Sequence, residues 1–285
     1  MLNDMGLMAD TANNSASHSR GTSYYAEKES ELLEEIEKLY VNNLDGKISL
    51  AEIEKIVFPY FSFGNLDSGK LFGLDEIILF SFYYANRHRY KSVLDLGANI
   101  GLHSLILLKL GFDVVSYEPD ELHCLQFEKV MKLNSIQKYK LIRKAIGISK
   151  DSLEFTRVLG NTTGSFVRDA KLSPYGEIES FSVQVDDITD VLNLTKFDLV
   201  KMDVEGYEAT LLNRIRVESF NSTDFMLEVG STKNASLIFD LIREKNLNAF
   251  SQKTNWNRVK SVEDLPSHHS HGSLFIGNEA GPKWK

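Results

Sequence analysis

The sequence contains a single cysteine, Cys124, among its 285 residues. One cysteine forms neither an internal disulfide nor a cysteine-based zinc site, so a reducing cytoplasm is the expected environment. No stretch approaches the roughly 20 apolar residues that span a bilayer. The first ten residues carry acidic side chains and no basic cluster before an apolar run, unlike a secretory signal. The sequence therefore predicts a soluble, cytoplasmic protein with no membrane partner.

A surplus of basic charge is also missing. The chain has 32 lysine and arginine residues against 40 aspartate and glutamate residues, which gives a net charge of −8. Nucleic-acid-binding proteins depend on lysine and arginine to neutralise phosphates, so this balance argues against a nucleic-acid partner. The one local basic run, residues 86–91, is interpreted as a solvated loop end.

The N-terminal third differs in texture from the rest. Residues 1–23 are small and polar with little periodicity, and predict a disordered leader. Residues 24–91 predict a helical cap, because apolar residues recur at helical spacing. A capping-box pattern predicts one helix that starts at Ser49 and ends at Pro59, and a further helix is predicted over residues 74–86.

From residue 92 to residue 285, short β-rich runs alternate with helical runs. The predicted strands cover residues 92–96, 113–117, 139–146, 198–202, 225–229 and 273–276, and the predicted helices cover 102–110, 121–133, 207–215 and 236–245. This alternation implies right-handed βαβ crossovers, and hence an α/β fold with a doubly wound, mostly parallel sheet. Residues 151–192 break the alternation and predict an insertion over that sheet.

The strongest motif follows the first of these strands. It is the loop Asp95-Leu96-Gly97-Ala98-Asn99-Ile100-Gly101, which leads into a predicted helix. Glycines let the backbone approach a ligand closely, and the N-terminus of the next helix adds N–H donors. Ligands of open α/β sheets bind at the carboxyl ends of such strands, so this loop is a candidate cofactor site.

The acidic residues near the loop indicate which cofactor it binds. The spacing is not the G-x-G-x-x-G of a dinucleotide fingerprint. Asp95 would repel a pyrophosphate but suits the ammonium of a methionine group, and Glu118 ends the next strand, where a carboxylate binds ribose hydroxyls. The combination favours S-adenosylmethionine over NAD. The alternative is that Gly97 and Gly101 form only a tight strand-to-helix turn.

A second motif, Lys201-Met202-Asp203-Val204-Glu205-Gly206-Tyr207-Glu208, ends a later apolar strand beside the cofactor strand. Methyl transfer requires a nucleophile to be positioned and its proton removed, and a carboxylate accepts that proton. We predict that Asp203 lies near the methyl group, that Glu205 is a base or orients the acceptor, and that Lys201 is an electrostatic or structural partner. The alternative is that the carboxylates only cap a helix; Glu208 is interpreted as first-turn helix charge.

The ordered motifs resemble the FkbM-type methyltransferase family. The family's cofactor loop, its Glu-Pro strand end and its acidic block stand here as Asp95–Gly101, Tyr117–Pro119 and Lys201–Glu208, and Val185–Ile188 is similar to its Leu-Asp-Asp segment. The resemblance covers roughly residues 92–277. It implies a class I methyltransferase that uses S-adenosylmethionine for O-methylation, commonly of a sugar or natural-product hydroxyl.

The candidate residues form three sets. The catalytic candidates are Asp203, Glu205 and Lys201. The candidates for cofactor binding are Asp95, Gly97, Ala98, Asn99, Gly101, His103, Ser104, Glu118, Pro119, Ala145 and Asp203. Position alone suggests Asn161, Glu228 and His269 for the acceptor, a small molecule or carbohydrate. No metal site is predicted, although His268, His269 and His271 cluster before the last strand and would supply a base or metal ligand if they are not simply a polar loop.

Three alternatives stay open. In the first, the acceptor atom is nitrogen, or the acceptor is another small molecule. In the second, the protein is an NAD-dependent oxidoreductase, an alternative that the sequence of the glycine loop argues against. Or the N-terminal part is a binding module that responds to calcium, since Asn43–Glu52 resembles the second part of an EF-hand loop; Val41, at the first ligand position, has no oxygen in its side chain.

Overall fold

The computed structural model describes residues 11–42, 47–50, 53–62, 67–159, 165–167, 177–277 and 280–284. Its α-helices are α1 (Ser23–Asn42), α2 (Leu74–Asn86), α3 (Leu102–Lys109), α4 (Glu121–Leu133), α5 (Ile188–Leu194), α6 (Glu208–Arg214) and α7 (Thr232–Glu244). Its strands are β1 (Lys47–Leu50), β2 (Ile53–Val57), β3 (Ser92–Leu96), β4 (Asp113–Tyr117), β5 (Lys140–Ile142), β6 (Ala145–Gly147), β7 (Ser152–Val158), β8 (Phe166–Val167), β9 (Ile178–Asp187), β10 (Leu199–Met202), β11 (Asp224–Glu228), β12 (Asn248–Ser251), β13 (Asn257–Arg258) and β14 (Ser273–Gly277).

The main sheet has the strand order β13-β12-β14-β11-β10-β3-β4-β5. The five strands from β11 to β5 are parallel, and β14 runs antiparallel between β11 and β12. Val93, Leu94 and Leu96 of β3 are completely buried, because helices cover both faces of the sheet. The predicted doubly wound, mostly parallel α/β fold is confirmed. Strand order reverses between β3 and β10, so ligands are expected at the carboxyl ends of these two strands.

A second, four-stranded sheet with the order β6-β9-β7-β8 occupies the segment where the alternation lapses. Strands β7 and β9 pair antiparallel from Ser152↔Gln184 to Val158↔Ile178, and β6 pairs parallel with β9. The single strand predicted over 139–146 is wrong, since the chain turns at Arg143 and divides into β5 of the main sheet and β6 of this one. We call β6–β9 the insertion sheet.

The N-terminal region contains a β-hairpin as well as helices. Strands β1 and β2 pair antiparallel, with Ile48 opposite Ile56. The helix predicted from Ser49 is therefore wrong, because the β-branched residues of Ile53–Val57 favour a strand. Asn134 stabilises the edge of this strand, since its side chain accepts from the N–H of Val57 and donates to its carbonyl, both at 2.7 Å.

The segment before α1 also differs from its prediction. Residues 1–10 lie outside the described residues, but Ser15–His18 forms a 3₁₀-helix instead of part of a disordered leader. His18 is buried, its Nδ1 accepts a hydrogen bond from the Trp256 indole at 3.0 Å, and its ring lies 4.2 Å from that of Trp284. Aromatic partners more than 200 positions away thus order this polar segment.

Helix α2 forms as predicted and lies in the hydrophobic core on one face of the main sheet, together with α1, α3 and α4. Helices α5, α6 and α7 pack on the other face. Among the described residues, no helix is both long and apolar enough to cross a membrane. The three ligand positions of the EF-hand-like segment, Asn43, Asp45 and Glu52, all lie outside the described residues.

Candidate functional site

The glycine loop after β3 is held against the loop after β10. Gly97 has φ +76°, and a Cβ atom at this position would lie 1.8 Å from the carbonyl oxygen of Asp203. Gly101 has φ +88°, and a Cβ atom there would lie 2.6 Å from the ring of Phe127. Both positions therefore require glycine, for backbone conformation and for space.

Glu118, at the end of β4, is bound to the same loop. Its side chain is only 4% exposed. One carboxylate oxygen accepts from the backbone N–H of Asn99 at 2.8 Å, and the other accepts from the N–H of Asp120 at 2.9 Å. Burial lowers the pKa of the neighbouring His123, but the Glu118 carboxylate, 3.6 Å away, outweighs this and raises it overall. Glu118 is thus fixed beside the glycine turn.

A cleft opens between these elements and encloses about 610 Å³ of empty space, which includes its open mouth. Seven of the predicted residues line it, namely Gly97, Asn99, Glu118, Pro119, Ala145, Asp203 and Glu205. The cleft has eight other lining residues. Sequence reasoning missed seven of them, namely Tyr117, His123, Lys144, Ile146, Phe155, Val204 and Tyr207, whereas position in the insertion alone suggests contact of Ser165 with the acceptor. Four of these, Tyr117, Lys144, Ile146 and Val204, flank predicted residues directly, whereas Phe155 and Ser165 come from the insertion sheet and its connection, which carry no recognisable motif.

Other predicted cofactor residues lie beneath the cleft. Asp95 and Ser104 are completely buried, and the Ser104 hydroxyl donates to the Asp95 carboxylate at 2.6 Å. Neither is among the described residues that line the cleft, and Ala98 and Gly101 are not either. The direct contact of Asp95 with a methionine ammonium does not match this arrangement. Its carboxylate instead faces Lys201, 3.6 Å away.

His103 is likewise not among the described residues that line the cleft. Its Nε2 lies 2.7 Å from a carboxylate oxygen of Glu76, and its Nδ1 lies 3.0 Å from the Tyr83 hydroxyl. Glu76 and Tyr83 belong to α2, so this histidine connects the N-terminal helix to α3. Contact of His103 with the cofactor stays a prediction.

Lys201 sits at the centre of the acidic block and is buried. Its ammonium lies 3.3 Å from the Asp203 carboxylate and donates to the carbonyl of Gly97 at 3.4 Å. Burial lowers the pKa of Lys201, but the Asp203 and Asp95 carboxylates outweigh this and raise it overall. The side chain is therefore a fixed positive charge between two strands whose residues 95 and 201 are direct neighbours.

Three acidic residues, Asp203, Glu205 and Glu228, lie at or just after the ends of β10 and β11. The Asp203 side chain is 30% exposed and lines the cleft. Glu205 lines it too and has a left-handed backbone, with φ +56°. Glu228 is not among the described lining residues, but burial raises its pKa well above 4.5, and the Asp203 and Glu205 carboxylates raise it further. Glu228 therefore favours its neutral, protonated form.

Glu208 begins α6, as expected of a first-turn acid, but its carboxylate turns back onto the preceding loop. It accepts from the N–H groups of Val204 and Gly206 at 3.0 and 3.1 Å, and from the side-chain amide of Asn234 at 2.5 Å. Burial, with the nearby Asp203 carboxylate, raises the pKa of Glu208 to about 7 despite these donors. Glu208 therefore shapes the loop that carries Glu205.

The structure says little about the remaining candidates, Asn161 and His269. Asn161 lies outside the described residues. His269 begins a 3₁₀ turn, His269–His271, and its side chain is not described. Among the residues that the structure does describe, no group of three or more His, Cys, Asp or Glu side chains is arranged to hold a metal ion.

The family model for the methyltransferase FkbM domain matches residues 95–245, which is more than half of the chain. No curated protein matches the sequence. The matched range contains the glycine loop, Glu118 and the acidic block, as well as the insertion sheet.

Several solved structures are similar in overall arrangement. Ribosomal protein L11 methylase from Lactobacillus delbrueckii subsp. bulgaricus is 11% identical, with a TM-score of 0.36 over 69% of this chain and 75% of that chain. A SAM-dependent methyltransferase from Agrobacterium tumefaciens is 10% identical, with a TM-score of 0.41 over 81% and 68%. Precorrin-6y C5,15-methyltransferase from Geobacter metallireducens is 10% identical, with a TM-score of 0.37 over 68% and 82%.

Proposed function

Since the chain belongs to the FkbM methyltransferase family, we propose that this S-adenosylmethionine-dependent methyltransferase methylates a hydroxyl group of a sugar, a glycan or a natural-product precursor. The observation that carries the proposal is the position of Asp203. Its partly exposed carboxylate lines the same cleft as Glu118 and lies 3.3 Å from the buried Lys201 ammonium. This position supports the assignment of Asp203 as a proton acceptor beside the cofactor site.

The described residues suit S-adenosylmethionine. Gly97 lines the cleft with its backbone, and the Glu118 carboxylate lines the cleft where ribose hydroxyls need an acceptor. Ala145, Ile146 and Phe155 offer an apolar wall for the adenine ring. When bound, the cofactor supplies a methyl group on a positively charged sulfur, which a nucleophile attacks in line with the departing sulfur.

The acidic block holds the acceptor and takes its proton. We assign to Asp203 the role of general base, which removes the proton as the hydroxyl oxygen becomes nucleophilic. Lys201 keeps Asp203 oriented from one side, with 3.3 Å between the ammonium and the carboxylate. Glu205 is assigned to orient the acceptor, and a protonated Glu228 would donate a hydrogen bond to another hydroxyl of a polyol. An acceptor rich in hydroxyl groups satisfies both kinds of carboxyl group.

A nitrogen acceptor is the second candidate, and the excess of carboxylates favours it. Asp203, Glu205 and Glu76 all raise the pKa of Glu228, so their negative charges act on one another and would stabilise a protonated amine. An amine must lose that proton before it attacks, and Asp203 would accept it. The two candidates differ in product and not in machinery.

Transfer of an isotopic methyl group tests the proposal. The full-length protein is incubated with S-adenosylmethionine labelled with ¹³C in the methyl group and a panel of neutral sugars, amino sugars and polyols, and products are read by NMR. A methyl signal on oxygen that disappears with Asp203→Asn supports the proposal. A signal on nitrogen selects the second candidate, and no transfer to any member of the panel contradicts the carbohydrate assignment.

The organisation of the chain and its location are proposed as well. Residues 24–91 act as a cap, and residues 92–285 form the methyltransferase domain, with an insertion at about 151–192. Of the leader predicted over residues 1–23, only the part before residue 11 is still proposed. The Glu76–His103 contact supports the cap, since it brings α2 to the helix that follows the glycine loop. A single cysteine and a net charge of −8 support a cytoplasmic protein with no nucleic-acid partner.

A further inference from the structure

The insertion sheet contributes directly to the cofactor cleft. Phe155, in β7, and Ser165, just before β8, line the cleft together with Glu118. Ala145 and Ile146, in β6, belong to the same sheet and line the cleft as well. The wall of the cleft opposite the glycine loop therefore depends on where this sheet is held.

A buried ion pair joins the insertion sheet to the loop that follows Glu118. Arg157 lies two positions after Phe155 on β7. Its guanidinium donates to both carboxylate oxygens of Asp120, with Nε and Nη2 each at 2.6 Å, and its Nη1 donates to Glu179 at 2.5 Å. The Asp120 side chain is completely buried. Such a two-point contact fixes orientation as well as distance, because the guanidinium and the carboxylate are both planar.

Asp120 makes two further contacts, one of them with Glu118. Its carboxylate caps α4 by accepting from the N–H of Leu122 at 2.8 Å. Its own N–H donates to the Glu118 carboxylate at 2.9 Å, and the other oxygen of that carboxylate holds Asn99. An unbroken series of short polar contacts therefore runs from Arg157 to the glycine loop.

We propose that Arg157 is a positioning residue for S-adenosylmethionine, acting through Asp120 on the orientation of the Glu118 carboxylate. The pair sets the angle at which Glu118 meets the ribose, and at the same time holds Phe155 at the apolar wall. The insertion sheet is thereby part of the cofactor site. This proposal rests on the cofactor and not on the identity of the acceptor.

A binding experiment separates positioning from a merely structural role. The affinity for S-adenosylhomocysteine is measured by calorimetric titration for wild type, Arg157→Ala, Glu118→Ala and the double variant. If Arg157 acts through Glu118, Arg157→Ala weakens binding about tenfold in the wild-type background and less than about twofold in the Glu118→Ala background. The two losses are then far from additive.

Two results would overturn the proposal. One is an affinity of Arg157→Ala within twofold of wild type. The other is multiplication of the two losses in the double variant, since this would mean that Arg157 affects binding independently of Glu118. If Arg157→Ala fails to fold, Asp120→Asn replaces it in the same cycle. Asparagine caps a helix as well as aspartate does but loses the charge that pairs with Arg157.

The chain offers a matched control. Arg143 also contacts carboxylates of α4, namely Glu121 and Glu128, but this group is exposed, and within the described part of the chain it forms no ion pair with Asp120 or with the insertion sheet. Arg143→Ala is expected to leave the affinity for S-adenosylhomocysteine unchanged. Binding by the wild type at all tests the cofactor assignment, so failure of that assignment and failure of the role of Arg157 give different results.

Discussion

The carbonyl oxygen of Asp203 occupies the place that a side chain on Gly97 would need, with only 1.8 Å between that oxygen and an ideal Cβ atom. The loops that follow β3 and β10 are therefore in direct backbone contact. A residue that we assign to cofactor binding and one that we assign to proton transfer fix each other's position. Any change that separates these loops affects both halves of the site.

Gly97→Ala should lower the free energy of unfolding by about 2–4 kcal/mol, because the added methyl group forces the loops apart and the positive φ disfavours alanine. For a chain of this size this corresponds to a fall in Tm of roughly 5–15 °C. Gly111→Ala is the control, since Gly111 has φ +90° but no atom within 4 Å of its ideal Cβ. It should cost about 1 kcal/mol. Equal losses would contradict the role of the loop contact.

Asp203→Asn should reduce methyl transfer at least about 100-fold, because the amide cannot accept the proton of the acceptor. The affinity for S-adenosylhomocysteine should stay within about threefold of wild type, since Asn keeps the size of the side chain. Single-turnover transfer and calorimetric titration measure the two quantities separately. Near-normal turnover in this variant would remove Asp203 from the mechanism.

Glu118→Ala should weaken the binding of S-adenosylmethionine and S-adenosylhomocysteine at least tenfold, about 1.4 kcal/mol. The variant loses the proposed acceptor for the ribose and leaves the N–H groups of Asn99 and Asp120 without their carboxylate. Glu121→Ala, three positions later and exposed, should bind both ligands as wild type does. Titration of both variants under one set of conditions makes the comparison.

The stability of the protein should depend on pH through Glu208. Its pKa in the folded protein is about 7 against 4.5 for an ordinary glutamate, so folding favours the protonated form. The stability that this group contributes is complete below about pH 4.5 and is lost as pH rises through 7, by about 3 kcal/mol. Urea denaturation of wild type and Glu208→Gln at several pH values between 5 and 8 measures it. The difference between the two curves should change across this range, and parallel curves would rule the effect out.

Lys201→Met should destabilise the protein by about 3–5 kcal/mol, because it leaves the completely buried Asp95 carboxylate without its positive partner. Lys28→Met breaks an ion pair with Glu31 on the surface of α1 and should change stability little. Denaturant titration of both variants gives the comparison. A loss for Lys201→Met as small as for Lys28→Met would mean that the buried pair contributes nothing net.

Prediction from the sequence succeeded where the pattern is local. The structures of the apolar run over Leu74–Asn86 and of the strand before Gly97 are determined by residues close in sequence, and both form as predicted. Glu118 and the acidic block follow β4 and β10, the two parallel strands on either side of β3. The alternation of strands and helices in the sequence indicates this topology. The position of the cofactor loop therefore followed from the sequence pattern and from the right-handedness of βαβ crossovers.

Prediction failed where distant residues decide. The helix expected from Ser49 is a hairpin, whose edge is bound by Asn134, and the segment around His18 is ordered by Trp256 and Trp284. The same holds within the site. Asp95 stands at the right strand end but is turned inward by Ser104, and nothing in the sequence near Phe155 indicates that it reaches the cleft.

The loop from Asp203 to Tyr207 is held in one conformation by the folded chain. Glu205 and Gly206 both have left-handed backbones, at φ +56° and +104°, and the Glu208 carboxylate holds the N–H groups of Val204 and Gly206. The freedom of this loop is thus already lost when the chain folds. The arrival of an acceptor need not order it, so little conformational entropy opposes binding, and more of the contact energy remains available for the transition state.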